Sequence, residues 1–149
     1  MKRVPLAWIA PAALVALAGC GSRGGPSAQQ VLEKRFQESL SGATLVGHFT
    51  VGERTGQSEE RYTLTKVSKL AGETWLFQAR LQYGGRDLTV PIPLTVKWAG
   101  DTPMITLTDL TIPGVGTYTA RVLFYRGQYA GTWSGRKFGG QMFGKIVKQ

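Results

Sequence analysis

One cysteine, one histidine and nine carboxylate side chains are the groups of this 149-residue chain best suited to bond-making chemistry. Their placement restricts what that chemistry can be. Cys20 ends the apolar run LVALAGC, and a lone thiol forms neither an internal disulfide nor a thiolate metal cluster of the usual two-to-four-cysteine kind. His48 alternates out of phase with Leu45, Phe49 and Val51, so it is expected to face solvent, and with no second histidine it makes no zinc site. There is no G-x-S-x-G elbow, and any Ser-His-Asp or Cys-His arrangement would rest on His48 alone. Among the carboxylates, Glu53, Glu59, Glu60, Glu73, Asp87, Asp101 and Asp109 mostly fall in or beside expected turns, where a solvated charge is the ordinary reading. Gly114-Val115-Gly116 has the glycines of a phosphate loop but precedes a strand, so no helix N-terminus is available to hold an anion. The expectation is a protein without catalytic residues, cofactor or metal.

The position of Cys20 gives it a different use. Met1-Lys2-Arg3 is positive, Val4 to Gly19 is apolar, and no acidic residue appears before Glu33, which is the order of a signal peptide. Its apolar stretch of about 16 residues is shorter than the ~20 of a spanning helix, and Pro5 and Pro11 weaken it further as a permanent span. Leu17-Ala18-Gly19-Cys20 resembles the lipobox of bacterial lipoproteins. That resemblance implies cleavage after Gly19, lipidation of Cys20, membrane attachment through the acyl chains, and residence in the cell envelope. With Gly21 in the following position, it implies the outer membrane facing the periplasm where the cell has one. Segment 1–19 is then a signal peptide, 20–26 a lipidated cysteine with a flexible tether, and 27–149 a single domain. At ~3.5 Å per residue the tether keeps that domain within ~20 Å of its anchor.

Those groups need elements to position them. Ser27 and Gln30 have the spacing of a capping box. Ala28, Leu32, Phe36 and Leu40 recur at intervals of four, and Gly42 follows, which predicts one amphipathic helix over 28–40. It is expected to pack on the domain or to lie on the membrane surface. From Ala43 the period falls to two. Leu45, Phe49 and Val51 share one face; so do Tyr62 and Leu64; then Trp75, Phe77, Ala79, Leu81 and Tyr83; then Leu88, Val90, Ile92, Leu94, Val96 and Trp98. Further runs at 103–111, 117–126, 128–134 and 139–147 make eight strands, provided Gly127 is a turn and not a bulge. The short connections predict an all-β antiparallel meander over 43–147, closed as a small barrel, with a two-layer sandwich as the alternative.

A barrel of eight strands either fills with side chains or holds one small ligand. The aromatic row of Trp75, Phe77, Tyr83 and Trp98 is the candidate lining for a hydrophobic molecule such as a lipid. Pro91 and Pro93 lack donors on one lateral side of their strand, which predicts a protected edge or a seam that admits a ligand. Gly131-Thr132-Trp133 is similar to the G-x-W signature of lipocalins and the G-T-W of avidin-like barrels, which implies a calycin-like barrel. Those families carry it in the first strand, whereas here it lies near the last.

The formal net charge is +9, and six basic residues with no acidic one follow Asp109. Export removes nucleic acid as a partner, leaving an anionic lipid or cell-wall polymer as the expected counterpart. Arg136, Lys137, Lys145 and Lys148 are the candidate contacts. The leading functional expectation is a lipid-anchored barrel that binds or shields a hydrophobic ligand. The alternative is a non-catalytic adaptor docking an envelope component through its basic face.

Overall fold

Ser27 turns the chain into its helix. In the computed structural model, which describes residues 24–148, the Ser27 hydroxyl accepts from the Gln30 amide at 3.2 Å and the Gln30 side chain accepts from the Ser27 amide at 2.7 Å. The capping box is therefore formed. Helix α1 runs Ala28–Leu40 and buries Phe36 and Leu40, while Ala28 is exposed and Leu32 half-buried. Only the later turns of the apolar stripe enter the fold. The expected signal peptide and the Cys20 lipidation site lie outside the described residues.

Eight strands follow: β1 (Ala43–Phe49), β2 (Ser58–Ala71), β3 (Thr74–Tyr83), β4 (Arg86–Ala99), β5 (Thr102–Ile112), β6 (Gly116–Tyr125), β7 (Gln128–Ser134) and β8 (Gly139–Lys148). Each pairs with the next in sequence and β1 pairs antiparallel with β8, closing a barrel. Arg126 and Gly127 both take positive φ, 46° and 74°, so they form the tight turn between β6 and β7. The fold is the expected closed meander and not the sandwich.

Apolar residues point inward. Trp75, Phe77, Ala79 and Leu81 of β3 and Ile92, Leu94 and Val96 of β4 are buried, while Thr74, Gln78, Arg80, Thr89 and Lys97 are exposed. This is the reverse of the arrangement a lipid-embedded barrel requires. Register shifts in β2 and β5 adjust the pattern. In β2 a shift between Leu64 and Lys66 brings Val67 inward out of phase with Glu60, Tyr62 and Leu64. In β5 a shift between Leu107 and Leu110 surrounds Asp109, which sits at φ 48°.

The β2 shift also joins the helix to the barrel. The Ser41 hydroxyl, just past α1, accepts from the Val67 amide at 3.0 Å and donates to the Val67 carbonyl at 3.2 Å. Lys69 pairs with Glu33 at 2.6 Å, and the Lys148 ammonium donates to the Glu38 carbonyl, satisfying one of the open acceptors near the helix C-terminus. So held, α1 inserts Phe36 into one end of the barrel, where its ring meets Trp75 (5.3 Å), Phe77 (6.3 Å), Trp98 (5.8 Å) and Phe124 (5.8 Å), all edge-on. Edge-to-face clusters of this kind add ~0.5–1.5 kcal/mol per pair beyond the area they bury.

The wall is uneven. β3 pairs with β4 along Thr74–Tyr83 and Arg86–Thr95, whereas β4 meets β5 only over Thr95–Ala99 and Thr102–Thr106. Pro91 and Pro93 lie in the stretch of β4 that β5 leaves unpaired. At the rim of that gap the Arg86 guanidinium donates to the carbonyls of Gly114 (3.4 Å) and Val115 (3.3 Å).

Candidate ligand-binding site

Because α1 fills only one end, the rest of the barrel interior is open. It forms a cavity of ≈ 250 Å³ whose floor is Phe77 and Phe124, beneath the Phe36 ring. Its outer part is lined by Phe49, Val115, Tyr118 and Trp133, next to the loops 50–57, 113–115 and 135–138. Trp133 is fixed there by an indole N–H donated to the Thr50 carbonyl at 3.2 Å and by an edge-on contact with Phe49 at 6.0 Å. Gly131 and Trp133 of the G-T-W motif thus serve a close approach of β7 to β6 and a cover near the barrel's open end.

The lining side chains are aliphatic or aromatic with one exception. Glu60 of β2 faces inward, is 3% exposed and lines the cavity. Its Oε2 accepts from the Tyr62 hydroxyl at 2.6 Å and its Oε1 from the Tyr129 hydroxyl at 2.8 Å. Burial pushes the Glu60 carboxyl above its ordinary pKa, against the lowering effects of the two tyrosine hydrogen bonds and of His48. Burial first, then the field of Glu60, pushes the Tyr129 hydroxyl well above its usual range. Tyr129 is therefore a permanent donor.

A single rung of the barrel makes this contact. Tyr129 stands opposite Gly144, Gly144 opposite Gly47, and Gly47 opposite Glu60. Neighbouring strands lie ~4.8 Å apart, so the two ends of the rung are ~14 Å apart along the wall. The Tyr129 and Glu60 side chains together close that distance, meeting over two residues without side chains. A Cβ on Gly47 would sit 2.5 Å from the Tyr129 hydroxyl, and one on Gly144 would sit 2.7 Å from the Tyr129 ring.

The structure divides the aromatic row singled out in the sequence. Phe77 lines the cavity. Trp75 and Trp98 instead pack around Phe36 in the plug, because a period of two reports which residues point inward but not their depth along the barrel. Tyr83 ends β3 opposite Glu60 and Arg86, and its side chain lies outside the described residues. The basic candidates are not brought together either. Arg136 and Lys137 sit in the β7–β8 turn, Lys145 and Lys148 near the far end of β8, and Lys148 is engaged with α1.

Two features were not read from the sequence. Glu60 departs from the expectation of solvated carboxylates. The signal was present, since it shares the inward phase of Tyr62 and Leu64. The second is an outward patch on β6–β8, where Leu123, Tyr125, Phe143 and Val147 are exposed beside Lys145, with the Arg126 guanidinium over the Tyr125 ring at 5.2 Å. His48 is exposed as expected, with its ring 6.2 Å from Phe143.

Among the described residues no group of three or more His, Cys, Asp or Glu side chains could hold a metal ion, and no helix is long and apolar enough to cross a membrane. Comparison with protein-family models, curated proteins and solved structures finds no match. The class is set by architecture: a small closed antiparallel barrel, plugged at one end by its N-terminal helix and hollow toward the other.

Proposed function

We propose that this chain is a lipid-anchored protein of a bacterial cell envelope whose barrel binds or shields a hydrophobic molecule. The observation that carries the binding role is the apolar cavity above Phe77 and Phe124. An eight-stranded barrel can be filled completely by its own side chains, and this one is filled only at the end that α1 enters. An apolar void forfeits dispersion contacts along its lining, and a ligand restores them. The lipobox resemblance at Leu17–Cys20 supports the anchor, and the short segment between Cys20 and Ser27 keeps the barrel close to it. The role is one of binding, with no catalytic step assigned.

Native mass spectrometry of the protein released from its own membranes tests the binding role. A co-purifying apolar molecule is expected, displaced when the cavity is narrowed by Ala79→Leu. Protein that is empty on isolation and takes up no hydrophobic probe would overturn the reading. Labelled palmitate tests the anchor separately, with incorporation expected in the wild type and absent in Cys20→Ser.

The outward patch favours a second role, contact with an anionic surface. Exposed apolar side chains interleaved with Arg126 and Lys145 suit a bilayer interface rich in anionic headgroups.

A further inference from the structure

A cavity for a purely hydrocarbon ligand has no use for a carboxylate. Burying Glu60 costs free energy, and replacing buried polar pairs with apolar ones of similar volume is often neutral or stabilising. Here Tyr129 reaches Glu60 across Gly47 and Gly144, two positions where an added Cβ would meet both the neighbouring backbone and the tyrosine. Each carboxylate oxygen receives one tyrosine donor and has capacity for a second. Among the described residues no Lys, Arg or His forms an ion pair with Glu60. The site thus places a hydrogen-bonded carboxyl group, with acceptor capacity to spare, inside a chamber lined elsewhere by apolar and aromatic side chains.

The ligand complementary to that arrangement has an apolar body and an uncharged head that donates hydrogen bonds. A carboxylate head would bring only acceptor oxygens against the acceptor oxygens of Glu60, a pairing that requires one of the two carboxyl groups to hold a proton. An ammonium head would have to shed its hydration to enter a chamber that is apolar elsewhere. As for size, a 150 Å³ protein cavity holds benzene, so ≈ 250 Å³ encloses about ten non-hydrogen atoms.

Resting on the binding role above, we propose that the cavity selects a neutral amphiphile whose hydroxyl or amide head is received by Glu60 between Tyr62 and Tyr129, and that it rejects the fatty-acid carboxylate of the same length. The acceptor oxygens of Glu60 orient the head inward, and the tyrosine hydroxyls hold the carboxylate in place.

Calorimetric titration at pH 7 of the chain from Cys20 onward, made without acyl groups and containing every described residue, tests this with 1-octanol, octanoate and octylamine. At least tenfold tighter binding of 1-octanol than of either charged probe is expected, and in Glu60→Gln the preference over octanoate shrinks to threefold or less. Octanoate or octylamine binding as tightly as 1-octanol, or an unchanged preference in Glu60→Gln, overturns the proposal while leaving the binding role standing. No binding of any probe overturns both. Should Glu60→Gln fail to fold, a crystal structure of the wild type with 1-octanol decides: a hydroxyl within hydrogen-bond distance of Glu60 supports the proposal, and a hydroxyl at the rim overturns it.

Discussion

At the scale of single residues, the Glu60–Tyr129 rung makes two sharp demands. Substituting Gly47 or Gly144 with alanine drives a methyl group first into a backbone carbonyl of the paired strand, Phe143 or Val46, and then into the Tyr129 side chain, and overpacking of this kind costs about 1–3 kcal/mol or more. Urea midpoints of both variants are expected to fall, with no such loss for Gly24→Ala, which has open space around it. The second demand concerns pH. Burial raises the folded-state pKa of Glu60 above its ordinary 4.5, so the folded protein keeps a proton that the unfolded chain has already released. The contribution of Glu60 is therefore most favourable below 4.5 and is lost as pH rises through the raised value. Asp87 runs the other way, because its hydrogen bond from Arg80 lowers its pKa. Subtracting the melting temperature of Glu60→Gln at each pH removes the Asp87 effect. The wild type is expected to lose stability relative to the variant as pH rises above 4.5; a flat difference would contradict the burial argument. Glu60 was legible only in part: its alternation with Tyr62 and Leu64 indicated direction, but composition and turn proximity argued for solvent.

At the scale of elements, the helix bounds and all eight strands were readable because capping chemistry and hydrophobic period act locally. The register shifts after Leu64 and Leu107 were not. Lys66 and Asp109 break a two-residue alternation, and in a lone sequence a break of one residue is indistinguishable from a strand end. The depth of each inward residue was likewise unreadable, because it depends on how far α1 enters, which no local signal encodes. Phe36 is the residue that sets this depth. Phe36→Ala should destabilise by about 3–5 kcal/mol and enlarge the cavity, seen as a lower melting temperature and a greater capacity for xenon. The weak pairing of β4 with β5 was foreshadowed by Pro91 and Pro93. In hydrogen exchange, the amides of 107–112, lacking a β4 partner, are expected to exchange well before those of β3, which is paired on both sides.

At the scale of the whole molecule, positive charge is spread around the barrel and not gathered at one pole, so the basic tail of the sequence does not translate into a single basic face. What the plugged end does concentrate is the combination of Arg126 and Lys145 with exposed Tyr125 and Phe143. Reversing both charges is expected to weaken retention on anionic vesicles, at about 1 kcal/mol per basic residue near such a surface. Reversing Arg136 and Lys137, at the opposite end, is expected to matter less. Cosedimentation across a salt series checks both, and the difference should vanish at high ionic strength.

Among the described residues, the helix that seals the floor of the barrel is the first element, and no strand precedes Phe36. Mechanical tension applied at the N-terminus would load α1 before it loads the sheet. The plug would then be drawn out while the strands remain zipped together, so pulling from that side uncorks the vessel from below.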